Sequence, residues 1–134
     1  MKKPFYSLSH LTRAIEANSM NAQVYYKRGI ARFELQDYLG SISDLTRALE
    51  IDPTNKWYYL YKGIAKMGIV DYPGAISDMN RAIALSPMFT AAYYSRGLLK
   101  MELGQTDDGL YDLNKAGELS NSEIHERTIS TSTN

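Results

Sequence analysis

No cysteine occurs anywhere in the chain, so disulfide staples, thiolate metal sites and a cysteine nucleophile are excluded. Charge of one sign is not in excess either. Fifteen basic residues balance fifteen acidic ones, which removes the bulk electrostatic case for nucleic acid or an anionic membrane as partner. No run approaches the roughly 20 apolar residues needed to span a bilayer. The opening MKKPFYSLSH has the lysines of a signal peptide but not its apolar segment, so the expected location is the cytoplasm. Histidine is scarce, with only His10 and His125. The acidic residues fall singly rather than at ligand spacing, so neither a metal, a cofactor nor a catalytic base is expected. Asp107 and Asp108 are adjacent and share no helix face; an exposed helix start suits them better.

What the chain does have is a repeat. Tyr25, Tyr59 and Tyr93 stand 34 residues apart, and so do Gly29, Gly63 and Gly97, Asp44, Asp78 and Asp112, and Ala48, Ala82 and Ala116. A period of this length marks a helical-repeat array. Each unit holds two runs of helical apolar spacing around a short turn, LQDY at 35–38 or IVDYPG at 69–74, and so reads as a helical hairpin. The spacing predicts first helices over 22–35, 56–69 and 90–103 and second helices over 38–51, 72–85 and 106–119. Asp37 and Asp71 fall at N-cap positions, Pro73 in a first turn, and Pro53 and Pro87 after helices they stop.

The ends of the array differ from its middle. HLTRAIEANSMN at 10–21 aligns with DLTRALEIDPTN one period later, which predicts a half-repeat helix over 4–17. In the third unit Asn121 replaces the closing proline and Gly109 and Gly117 enter the helix. Ser120 and Glu123 at capping-box spacing predict a short capping helix over 122–130, and 131–134 are expected to be a disordered tail. The expectation is one all-α domain over 1–130, with full repeats at 22–55, 56–89 and 90–121.

Tyr25, Gly29, Tyr38, Ala48 and Pro53, with their counterparts Tyr59, Gly63, Tyr72, Ala82 and Pro87, resemble the tetratricopeptide repeat family over roughly residues 3–121. The resemblance implies an α-solenoid, a right-handed superhelix of antiparallel helix pairs. Its first helices line a groove that binds peptides or helices of other proteins, and it brings no chemistry of its own. The inward stripe it implies is Tyr26, Ile30 and Phe33, then Trp57, Leu60, Ile64 and Met67, then Tyr94, Leu98 and Met101. The lysine, arginine and asparagine with which some members grip a C-terminal carboxylate are replaced here by Tyr26, Ile30, Tyr61, Ala91 and Ser95, so a chaperone-tail clamp is not expected.

The recurrent cation before each glycine is assigned inside the hairpin, pairing Arg28 with Asp44, Lys62 with Asp78 and Arg96 with Asp112. The glycines are assigned to close approach of the facing helix at Ser41, Ala75 and Gly109. An apolar stripe on a helix whose other face is already packed calls for a cover. Two readings follow: a non-catalytic adaptor that receives an apolar or amphipathic segment of another protein, or a self-assembling chain. The latter would bury Leu8, Leu11 and Ile15 of the half-repeat in a homo-oligomer.

Overall fold

The computed structural model describes residues 6–132. Among them every regular element is an α-helix: α1 (Leu8–Ala17), α2 (Ala22–Glu34), α3 (Tyr38–Ile51), α4 (Lys56–Gly68), α5 (Tyr72–Leu85), α6 (Thr90–Glu102) and α7 (Thr106–Ser132). The start signals act locally. Asn21, Asp37, Asn55 and Asp71 each accept a backbone N–H of the first turn through the side chain, from Val24, Gly40, Trp57 and Gly74 respectively, which satisfies donors that the helix itself leaves over.

Each hairpin turns in the same way. The N–H groups of Asp37, Asp71 and Gln105 reach back to the carbonyls of Arg32, Lys66 and Lys100, the outer hydrogen bond of a Schellman ending. That ending needs a left-handed residue, and Gln36, Val70 and Gly104 supply it with φ of 63°, 63° and 79°. Only the third is glycine. A β-branched side chain in this region costs on the order of 1–2 kcal/mol, so the turn at Val70 is held by the helices it joins.

The chain forms two compact units, Met1–Leu85 and Ser86–Asn134, where the periodicity predicts one domain. Repeat arrays have no shared centre, since each hairpin is stabilised by its immediate neighbours, and the division falls at the proline-marked end of a repeat. In the first unit α2 packs on α1 and α3, and α4 on α3 and α5. Its core gathers Tyr25, Ala48, Leu49 and Tyr58, with Ile15, Ala22, Tyr26, Ile51 and Tyr59 against them. Leu11 is buried, so the half-repeat helix does not leave that residue uncovered as the sequence reading expected. Residues 4 and 5 of that expected helix lie outside the described residues.

In the second unit α6 packs on α7. The separate capping helix expected over 122–130 does not form; α7 runs unbroken for 27 residues. The reason is local: Pro53 and Pro87 close the earlier second helices, and Asn121 at the same register still donates its N–H and lets the helix continue. Residues 121–131 are exposed along this extension. Thr131 and Ser132, expected in a tail, are helical; residues 133 and 134 lie outside the described residues.

Candidate functional site

The charged residues of the repeat face one another within hairpins. Arg28 of α2 donates from Nε and Nη2 to the two carboxylate oxygens of Asp44 at 2.9 and 2.8 Å, and Arg32 adds a third hydrogen bond at 3.0 Å. Arg96 holds Asp112 with the same fork at 2.7 and 2.8 Å, with Lys100 at 3.3 Å. Asp44 and Asp112 are buried. Burial pushes the Asp112 carboxyl up, but the hydrogen bonds and charges of Arg96 and Lys100 outweigh it and hold the group below the usual aspartate range.

The middle hairpin departs from this pairing. Asp78 takes its cation from Lys66, 2.8 Å away, and not from Lys62. At that distance the ammonium neutralises the carboxylate, but the alignment gives neither oxygen a hydrogen bond. Burial holds the Lys62 ammonium below the ordinary lysine value, against the opposing pull of Asp78. A lysine ends in a point charge, whereas arginine presents a fork that spans both carboxylate oxygens, so moving the cation one turn along the helix alters the contact as well as its source. These cations are therefore engaged with aspartates inside the fold. Among the described residues no group of His, Asp and Glu is arranged to hold a metal, and no helix is long and apolar enough to cross a membrane.

The glycines stand at close crossings. A Cβ at Gly63 would lie 3.0 Å from the Ala75 carbonyl oxygen, and one at Gly97 would lie 3.0 Å from that of Gly109. At Gly29 the nearest atom is Cγ of Leu45 at 3.1 Å, with the Ser41 carbonyl at 3.4 Å.

The apolar stripe divides into four groups. Tyr26 and Trp57 join Tyr58 and Tyr61 in an aromatic cluster on α2 and α4: the Tyr26 ring lies 5.0 Å from Tyr58 and 5.8 Å from Tyr61, and Trp57 stacks on Tyr61 at 6.3 Å. With Gln23 and Asn55 these rings line a cleft of about 260 Å³. Burial, then Tyr61, Tyr6 and Tyr58, pushes the Tyr26 phenol up to about 12. Burial, followed by the Asp52 charge, also raises Tyr58. Both phenols therefore stay neutral and the cleft carries no charge. Trp57 is 43% exposed.

Tyr94 and Leu98 of α6 are also exposed, and line an apolar groove of about 470 Å³ with Leu113, Ala116 and Gly117 of α7. Ile30, Ile64 and Met67 are half-buried, as is Phe33, whose ring meets the edge of Tyr38 at 5.6 Å.

One stripe residue belongs to the interior instead, and a half-buried one turns away from the groove. Leu60 is only 2% exposed, because α4 has helices packed on more than one side and a register that is half-covered at Tyr26 is closed there. Met101 turns toward α7, where its sulfur would lie 2.8 Å from a Cβ at Gly109. Sequence reasoning did not place Gln23, Asn55 or Tyr58 in a site, and it used Tyr61 only as a groove position that argues against a carboxylate clamp. The available signal was the Trp57–Tyr61 spacing of one helical turn directly after an N-cap asparagine.

Residues 22–55, which hold α2 and α3, match the family model described as Tetratricopeptide repeat. No curated protein sequence matches the chain. Among solved structures, that of MamA superposes with a TM-score of 0.83 at 24% identity, covering 88% of this chain and 69% of that one. MamA 41-end from Desulfovibrio magneticus RS-1 gives 0.80 at 16% identity, over 86% of this chain and 65% of that one. The first TPR of Spaghetti (RPAP3), bound to the HSP90 peptide SRMEEVD, gives 0.73 at 26% identity, over 87% and 95%. This chain thus spans about two thirds of the length of the MamA chains. The fold class is an all-α helical-repeat solenoid of the tetratricopeptide type.

Proposed function

We propose that this tetratricopeptide-repeat protein is a non-catalytic adaptor of the cytoplasm that holds an uncharged apolar or amphipathic segment of a partner protein on α2 and α4. The observation that carries the reading is the cleft of Tyr26, Trp57, Tyr58 and Tyr61, which has a half-exposed tryptophan and no charged residue in its lining. Large aromatic side chains at a surface are the usual anchors of protein interfaces. The cations that would otherwise attract an acidic ligand are spent on Asp44, Asp78 and Asp112. The RPAP3 structure, with its acidic peptide, supports peptide binding as a use of this fold, while the lining here favours a different ligand.

A second reading, self-association, has one observation in its favour: the apolar groove between α6 and α7, where Tyr94 and Leu98 are exposed. Light scattering across a concentration series separates the two. Under the adaptor reading the chain stays monomeric, and immobilised protein retains uncharged apolar peptides from a synthetic panel equally at low and physiological salt. Trp57→Ala then abolishes retention with helicity intact. Retention of charged peptides only, lost as salt rises, would overturn the reading.

A further inference from the structure

We propose that the segment seated on α2 and α4 is an extended, proline-bearing strand that stacks a proline ring on the Trp57–Tyr61 pair and gives a backbone carbonyl to the Gln23 amide. This rests on the adaptor reading and names the chemistry of its ligand. Four rings and two amides line the cleft, and its 260 Å³ is below the roughly 300–1,000 Å³ of sites for drug-sized molecules. It has room for one or two side chains of a peptide.

The polar groups decide which kind of peptide fits. The Gln23 carboxamide oxygen already accepts the Tyr58 hydroxyl at 3.2 Å. That of Asn55 accepts the Trp57 N–H at 3.0 Å, and the Asn55 amide also supports the Tyr58 phenol. Both acceptor ends are thus used by the fold, leaving the Gln23 amide nitrogen and a second Asn55 N–H to face a ligand as donors. The N-terminal end of α4, capped by Asn55, adds partial positive charge beside them. The cleft therefore offers donors and needs a ligand rich in acceptors.

An amphipathic helix does not meet that need, because its carbonyls are bonded internally. A polyproline II strand does: its carbonyls have no internal partner, and each proline brings a carbonyl without an N–H. Its compact, rigid rings suit an exposed tryptophan stacked on a tyrosine, and its preformed shape lowers the entropy lost on binding. A cationic ligand would meet the positive helix end and no carboxylate in the lining. An acidic one would find no side-chain cation there.

Trp57 is the sole tryptophan, so its emission reports the cleft directly. The full chain is titrated with three probes: an end-capped oligoproline peptide, an uncharged Leu/Gln amphipathic helical peptide, and the acidic peptide SRMEEVD. The expected result is a saturable shift of Trp57 emission with oligoproline alone. Gln23→Ala, at an exposed helix start, weakens it about tenfold, the effect of one lost hydrogen bond. Tyr61→Ala weakens it at least as much, and Leu98→Ala leaves it unchanged. Saturation by the helical peptide with oligoproline silent would overturn the proline assignment and leave the adaptor reading standing. Saturation by SRMEEVD alone would overturn both, as would silence of all three. Oligoproline binding indifferent to Gln23→Ala would overturn the carbonyl contact that singles out an extended strand.

Discussion

The hairpins α2/α3 and α4/α5 have the same period, the same turn and a buried aspartate at the same place, but they satisfy that aspartate differently. Asp44 receives three hydrogen bonds from two arginines. Asp78 has one lysine at 2.8 Å and Arg81 of its own helix at 3.8 Å, with no hydrogen bond to either oxygen. The neighbouring tyrosines share one contact and differ in another: Arg47 of α3 lies over the Tyr25 ring as Arg81 of α5 lies over that of Tyr59, and Tyr25 has Arg28 besides. The repeat fixes where a negative charge is buried. The identity of the cation fixes which helical turn neutralises it and how completely.

The largest effect should come from breaking the better-made pair. Arg28→Met leaves Asp44, only 2% exposed, with a single hydrogen bond from Arg32, and should cost about 3 kcal/mol, the lower end for a buried pair broken on one side. Arg28→Met with Asp44→Leu should recover most of that loss, because no buried charge is then stranded. Urea melts of the two single variants and the double variant supply the cycle. Additive losses would mean that Arg28 stabilises the hairpin by packing rather than by its charge.

A smaller effect of opposite sign is expected where the pairing is incomplete. Lys62 holds the register of Arg28 and Arg96, and its ammonium is desolvated without being Asp78's closest partner. Lys62→Arg brings a fork to that register and should raise stability by about 1.5 kcal/mol, the range for a hydrogen bond to a charged group. An unchanged urea midpoint would show that the α4/α5 joint is too narrow for a guanidinium.

Most of the fold was legible because the signals that start and stop these helices are local: Asp37 and Asp71 cap, Pro53 and Pro87 stop, and the five helices α2 to α6 fall where the spacing predicts. α7 escaped because a stop had been expected from a capping motif at Ser120 and Glu123, when the governing fact was the missing proline at Asn121. The site was less legible. Periodicity assigns one face to each first helix, but Tyr26, Leu60 and Tyr94 share a register and are half-buried, buried and exposed in turn. How far a register position is covered depends on which helices surround it, and that is not local information. Lys66 took the place of Lys62 for a related reason: two cations one turn apart compete for one carboxylate, and side-chain reach decides between them.

The smallest expected effect separates the two hairpins at their glycines. Alanine in a helix interior is favoured over glycine by about 1 kcal/mol, so either substitution begins with a gain. At Gly29 the added methyl meets Cγ of the buried Leu45 at 3.1 Å, a side chain that has to give by only a few tenths of an ångström, and the Ser41 carbonyl stands back at 3.4 Å. At Gly63 it meets the Ala75 carbonyl oxygen at 3.0 Å, and a helix backbone cannot retreat without moving its whole crossing. Gly29→Ala should therefore be close to neutral, while Gly63→Ala should lose about 1 kcal/mol, in the range of overpacking a close joint. Thermal melts of the two variants side by side test the difference. Equal shifts would show that both crossings yield alike, and that the contrast between the hairpins is confined to their charges.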